Sequence, residues 1–118
     1  MIGRLTKRFE FDRLRTEGTR VAYGSVWVRY LANPDKNTIQ VGYALGLDVG
    51  AAVVRNKIRR RLRHVMHTLD QTNCEELRSG DYLIGLHRGT RNVRYTDLED
   101  SVRKCLVILN ENLCRTYE

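Results

Sequence analysis

The chain has 118 residues, with 21 Lys and Arg against 14 Asp and Glu, which gives a formal net charge of +7. This length suits one domain, and a hydrophobic content of 42% argues against intrinsic disorder. No apolar run approaches the roughly 20 residues of a membrane span, and no secretory signal follows Met1, so the cytoplasm is the predicted compartment.

The positive charge is concentrated in the first part of the chain. Residues 1–69 contain 14 Lys and Arg and 5 Asp and Glu, whereas residues 70–118 contain 7 and 9. Arginine supplies 17 of the 21 basic residues, and its planar guanidinium forms paired hydrogen bonds to phosphate and stacks on bases. The charge pattern therefore favours nucleic acid as the partner over an acidic membrane surface.

A short helix is predicted from about Lys7 to Glu17, with Thr6 as its N-cap and Gly18 closing it. Phe9 and Phe11 are two positions apart in this helix, so their side chains diverge. One of the two rings is predicted to leave the main core and to lie among arginines. Such a ring is a candidate for stacking on a base.

Two β-rich segments follow this helix. The first runs from Arg20 to Ala32 with a break at Gly24-Ser25, and it places Trp27 and Arg29 on one face. The second runs from Thr38 to Leu45. Residues 33–37 contain the only proline and predict a turn, so the two segments are predicted to be adjacent antiparallel strands of a hairpin.

The segment from Ala51 to Leu69 is predicted to be a basic amphipathic helix. Six residues form its apolar stripe, namely Val54, Ile58, Leu62, Val65, Met66 and Leu69. Six positive charges occur within residues 55–63, and residues 49–69 contain no acid. Because these charges repel one another, we expect an external anion, although a solvated basic face is the alternative. The residues predicted to bind RNA are Arg55, Asn56, Lys57, Arg59, Arg60, Arg61 and Arg63.

The rest of the chain completes one α+β domain over residues 1–118. A strand is predicted from Asp81 to Leu86, followed by a last helix to about Leu113. The capping box Thr96-Asp97-Leu98-Glu99 is predicted to start that helix.

No motif for catalysis, metal binding or cofactor binding occurs in the sequence. The glycine patterns of phosphate-binding and dinucleotide-binding loops are absent. His64 and His67 could share a metal with Cys74, but no fourth ligand is spaced for a structural site. We therefore predict two solvated histidines, no catalytic residue, and no protein-bound metal or cofactor.

The segment from Val49 to Arg63 resembles the signature of the bacterial ribonuclease P protein component. Arg4-Leu5, Phe11 and Gly18 are similar to the N-terminal pattern of that family, and Gly80-Asp81-Tyr82 is similar to the start of its last strand. The resemblance covers nearly the whole chain in the right order.

The resemblance implies the order α-β-β-β-α-β-α, with a four-stranded mixed sheet and a left-handed βαβ crossover through the basic helix, against the common rule. It also implies a catalytic RNA partner, which holds most of the Mg²⁺ and removes the 5′ leader from precursor tRNA, and no DNA or membrane partner. The basic helix would face that RNA. The leader would lie in a cleft between the first helix and the sheet, lined by Phe11, Arg15, Trp27 and Arg29.

The chain departs from the family pattern at a few positions. Leu47 and Asp48 stand where lysines are usual, Arg15 stands where an aromatic residue is frequent, and Lys57 replaces the second arginine of the signature. The missing lysines would remove phosphate contacts. Arg15 and Arg29 would add positive charge to the cleft.

The sequence leaves other interpretations of function open. A general RNA-binding or ribosome-associated chaperone module would use the same basic helix without preferring a tRNA leader. A stand-alone nuclease would need an acid–base or metal cluster, and a helix-turn-helix DNA binder would need a short helix where strands are predicted. For Phe11 and Trp27 the alternative to stacking is core packing, and for Arg29 it is partial burial against an acid.

Overall fold

Strands and helices follow one another in the order β-α-β-β-β-α-β-α. The computed structural model describes residues 2–33, 38–46, 49–72, 76–87 and 94–117. Its strands are β1 (Ile2–Arg4), β2 (Thr19–Tyr23), β3 (Val26–Leu31), β4 (Ile39–Ala44) and β5 (Gly80–Leu86). Its helices are α1 (Arg8–Glu17), α2 (Ala52–Gln71) and α3 (Tyr95–Tyr117). The predicted α+β class is confirmed.

The strands form one mixed sheet in the order β1-β4-β5-β3-β2. β5 is parallel to β4 and antiparallel to β3, while β1 is parallel to β4 at one edge. The basic helix α2 therefore joins two neighbouring parallel strands, β4 and β5. The left-handed sense of this crossover stays a prediction.

The predicted number of strands is wrong, because the described part of the chain forms five strands rather than four. The additional strand, β1, pairs with β4 through only three residues, from Ile2 opposite Ile39 to Arg4 opposite Val41. Three residues are too few to show the alternating pattern by which a strand is recognised in a sequence.

The predicted hairpin is also wrong, because β3 and β4 are separated by β5. Every residue of β5 is buried, and a strand covered on both faces belongs inside a sheet rather than at its edge. The hairpin is instead β2–β3, which turns at Gly24-Ser25 with Gly24 in the left-handed region at a φ of 58°.

The two faces of the sheet are covered by different helices. On one face α2 and α3 pack over the main core, which includes Val28, Tyr82 and Ile84. On the other face α1 packs Leu14 against Leu83 in a smaller cluster. That second face is only partly covered, because several apolar side chains on it remain half-buried: Phe11, Trp27, Leu31 and Ala44.

The apolar stripe of α2 is confirmed except at its first position. Ile58, Leu62, Val65, Met66 and Leu69 are buried, but Val54 is 43% exposed. Val54 lies in the first turn, close to Gly50.

Both predicted N-caps are wrong. α1 begins after Lys7, which makes no side-chain cap, so Thr6 lies outside the cap position. α3 begins at Tyr95, so Thr96 lies inside its first turn, and the carbonyl of Arg94 accepts the first hydrogen bond. Gly18 does follow α1, with a φ of −71° rather than a left-handed conformation.

Some predictions fall outside the described residues. They concern the turn at residues 34–37, the two lysine replacements Leu47 and Asp48, Cys74, and the side chain of Leu113. Among the described helices, none is long and apolar enough to cross a membrane.

Candidate nucleic-acid interface

The basic residues of α2 lie outside its buried apolar stripe, and one of them, Arg63, lies beside Tyr43 of β4. Lys57, Arg60 and Arg63 are exposed, and Arg55, Arg59 and Arg61 are half-buried. The first turn of α2 contains no acidic residue, although acids are favoured there by the helix dipole. Positive charge on the side chains therefore adds to the positive end of the helix.

The surface of α2 also contains a groove of about 310 Å³, lined by Lys57, Arg60, Arg61 and His64. All four side chains are basic, so the groove suits phosphate groups. Near it, the Asn56 Oδ1 accepts a hydrogen bond from the Arg59 Nη1 at 2.8 Å. This bond orients the Arg59 guanidinium on the surface of α2.

A second surface lies on the opposite face of the sheet, beside α1. The Phe11 ring rests on Gly42 of β4, where a Cβ atom would come within 2.6 Å of the ring. The Trp27 indole rests on Gly85 of β5, where a Cβ atom would collide with it. Since Gly85 pairs with Ala44, the two ring positions are offset by two residues, or roughly 7 Å along the strands. The sheet beneath the two rings contributes Gly42, Ala44 and Gly85, together with the buried Leu83.

Two arginines flank the Trp27 indole. The guanidinium carbons of Arg20 and Arg29 lie 5.7 Å and 5.9 Å from the ring centroid, within cation–π range. Arg20 and Arg29 are also direct cross-strand partners in the β2–β3 hairpin. Two like charges opposite each other are destabilising in a free sheet, which points to an anionic partner.

Arg15 joins this surface through its backbone rather than its side chain. The Arg29 Nη1 donates a hydrogen bond to the carbonyl of Arg15 at 3.2 Å, which ties the end of α1 to β3. The Arg15 side chain is exposed and lies 3.9 Å from the Asp12 carboxylate. The alternative prediction for Arg29 is partial burial against an acid. Its described hydrogen bond is made to a backbone carbonyl instead.

Comparison with known proteins identifies the family. The sequence model of the family described as Ribonuclease P matches residues 3–110. The chain belongs to this family. A ribonuclease P protein component from Gluconacetobacter diazotrophicus is 31% identical over 103 residues, which are 87% of each chain. One from Mycolicibacterium paratuberculosis is 36% identical over 108 residues, again 87% of each chain.

Solved ribonuclease P proteins share the fold. A structure of the Staphylococcus aureus protein superposes with a TM-score of 0.77 at 22% identity, over 90% of this chain and 94% of that one. The Thermotoga maritima protein gives a TM-score of 0.71 at 19% identity, over 87% and 94%. Membership of the ribonuclease P family gives the chain a role in tRNA 5′ processing, within a ribonucleoprotein whose RNA carries the catalysis.

The residues that were predicted to bind RNA form two groups, which lie on opposite faces of the sheet. The seven residues predicted to face the catalytic RNA all lie on α2, whereas Phe11 of α1 lies with Trp27 and Arg29 of β3 on the other face. Sequence reasoning missed Arg20. A two-residue turn at Gly24-Ser25 would have revealed it, because such a turn fixes the register that places Arg20 opposite Arg29.

Reactive groups do not converge in the described part of this ribonuclease P protein. No group of three His, Cys, Asp or Glu side chains lies close enough there to hold a metal ion. His64 and His67 are exposed on α2. Burial raises the pKa of the Cys105 thiol to about 11, so the thiol stays protonated at neutral pH.

The paired arginines of the β2–β3 hairpin generate a stability prediction. Arg20→Glu is expected to raise the free energy of unfolding by up to about 1 kcal/mol, because an ion pair replaces a like-charge pair. Urea denaturation at low salt measures the gain, which should shrink at about 0.5 M salt as the exposed charges are screened. Arg20→Gln should give a smaller gain. A fall in stability for both variants would show that loss of the Arg20–Trp27 contact outweighs the relief of repulsion between Arg20 and Arg29.

Proposed function

We propose that this chain binds the catalytic RNA of ribonuclease P through α2 and the single-stranded 5′ leader of precursor tRNA through the surface beside α1. The observation that carries the proposal is the Trp27 indole between Arg20 and Arg29, with Phe11 nearby. An accessible ring flanked by guanidiniums suits unpaired bases and their phosphates, whereas a duplex keeps its bases stacked inside. We call this surface, formed by Phe11, Arg20, Trp27 and Arg29, the leader cleft.

The proposed mechanism is electrostatic and organisational. The exposed basic residues of α2 neutralise phosphates of the RNA partner, and the leader cleft holds a few nucleotides of the substrate. Because one folded unit carries both surfaces, it reduces the repulsion between two polyanions. The chemical step then proceeds at a lower Mg²⁺ concentration, with the ions held mainly by the RNA.

We further propose that precursor tRNA is the substrate, that the RNA holds most of the Mg²⁺, that no DNA partner binds, and that the protein is cytoplasmic. Arg15 and Arg29 add positive charge that would compensate for the lysines usual in the family where Leu47 and Asp48 stand.

Cleavage of a precursor tRNA tests the proposal as a whole. The reaction is run at low Mg²⁺ with the protein alone, with a bacterial ribonuclease P RNA alone, and with both. We expect efficient cleavage only with both, because the protein supplies binding and the RNA supplies the chemistry. Cleavage by the protein alone would make it a nuclease. RNA binding without stimulation of cleavage would favour the general RNA-binding module.

Charge reversal on α2 tests the surface for the catalytic RNA. The double variant Arg59→Glu, Arg60→Glu is expected to weaken binding of that RNA by about tenfold or more, and to reduce the dependence of log K on log salt by about 2. The matched control places the same charge change on α3, as Arg103→Glu with Lys104→Glu. Equal losses for both double variants would contradict a specific role of α2.

A pair of phenylalanines in α1 tests the leader cleft. Phe11→Leu removes the ring but keeps an apolar side chain in the half-buried position, and Phe9→Leu makes the same change where the ring is 56% exposed. We expect Phe11→Leu to weaken binding of precursor tRNA by about fivefold or more, from a stacking energy of roughly 1–3 kcal/mol. Phe9→Leu should have little effect.

Binding of mature tRNA, which has no leader, is the second control. It should be unchanged in the Phe11→Leu variant. Equal weakening of precursor and mature tRNA would place the contact of Phe11 elsewhere on the substrate.

A further inference from the structure

A pocket lies between β1 and α2, on the face of the sheet opposite the leader cleft. Its volume is about 390 Å³, within the range of roughly 300–1,000 Å³ that is typical of small-ligand sites. β1, β4 and α2 line it with Ile2, Arg4, Val41, Tyr43, Arg63 and His67. Only Arg63 among these belongs to the residues predicted to bind RNA.

The ionisable groups of this pocket suit an anion. Arg4, Arg63 and His67 are all exposed, and the lining that the structure describes includes no carboxylate. Arg4 reaches the pocket because β1 pairs it with Val41 of β4. Three basic side chains from a strand and a helix therefore converge on one small volume.

The remaining surface of the pocket is aromatic and aliphatic. The Tyr43 ring is half-buried at the edge of the main core, beside Val41 and the half-buried Ile2. Burial raises the pKa of the Tyr43 hydroxyl to about 12, against a smaller opposing effect of Arg63, so the hydroxyl remains a donor at neutral pH. A planar ring system fits such a wall better than a bare inorganic anion does.

We propose that this pocket binds one unstacked nucleotide, with its base between the Tyr43 ring and the Arg63 guanidinium and its phosphate beside Arg4 and His67. The Arg63 guanidinium carbon lies 6.0 Å from the Tyr43 ring centroid. A base between the two needs about 7 Å, which is two contacts of about 3.5 Å each. Because Arg63 is exposed, its side chain can widen the gap by that small amount.

The nucleotide could come from an RNA partner, as a base turned out of its stack, or from a free mononucleotide. Both sources present the same base and phosphate to the pocket. The RNA source rests on the proposed function, since it requires an RNA bound along α2.

Titration with AMP tests the pocket directly. We expect saturable changes in the NMR signals of the Gly3 amide and the Tyr43 ring, with adenosine and inorganic phosphate each binding about tenfold more weakly. Trp27, the only tryptophan, lies on the opposite face, so its fluorescence reports binding in the leader cleft separately. Changes confined to the Trp27 signal would overturn the proposal.

Two variants and two controls identify the contacts. Tyr43→Leu removes the ring, and Arg4→Gln removes an exposed charge without threatening the core; each should weaken AMP binding by about fivefold or more. Tyr43→Phe keeps the stacking surface, and Lys104→Gln removes an exposed charge from α3, so both should stay within about twofold. Equal affinities for all four variants would overturn the proposal.

Measuring the binding of the catalytic RNA to the same variants then shows whether the nucleotide comes from that RNA or is a free mononucleotide. If the nucleotide belongs to that RNA, Tyr43→Leu should weaken RNA binding by about fivefold while Tyr43→Phe does not. Loss of AMP binding with unchanged RNA binding supports the pocket and assigns it to a free mononucleotide. A last outcome separates the two proposals. If the wild-type chain binds the RNA and stimulates cleavage by that RNA, but Tyr43→Leu binds both AMP and the RNA as the wild type does, the pocket proposal is overturned and the proposed function stands.

Discussion

The burial of β5 on both faces is the constraint on which the rest of the structure depends. A strand without an exposed face must have neighbours on both sides and a layer above and below. β4 and β3 supply the neighbours, α2 and α3 cover one face, and α1 covers part of the other. This arrangement separates the two candidate RNA surfaces, because the basic helix and the leader cleft must then lie on opposite sides of the sheet.

Both surfaces place like charges close together, which is unfavourable unless an anionic partner binds. Along α2 six basic residues occur within residues 55–63, and in the hairpin Arg20 faces Arg29 directly. Each arrangement costs the free protein some stability. Phosphates would relieve that repulsion on binding, so the same residues that weaken the isolated chain strengthen the complex and make its affinity dependent on salt.

The sequence predicted the elements whose apolar pattern repeats many times. α2 has five buried positions at helical spacing, and β3 alternates buried Val26, Val28 and Tyr30 with half-buried residues. It did not predict β1, which is too short to repeat a pattern, or the insertion of β5 between β3 and β4, because pairing between distant strands is not encoded locally. Arg20 and the pocket beside Tyr43 were missed for the same reason, since both depend on the pairing of strands.

The leader cleft also bears on which leaders the protein could accept. Phe11 and Trp27 rest on Gly42 and Gly85, so their rings are positioned by the sheet before any RNA binds. Every base has a planar face and every nucleotide a phosphate, so rings and guanidiniums recognise a single strand with little regard to its sequence. Under the proposed function, a protein that acts on precursor tRNAs whose leaders differ in sequence would require that tolerance. Under the proposed function, the cleft would therefore select for an unpaired strand at the 5′ side of the tRNA, and the choice of cleavage position would be left to the RNA.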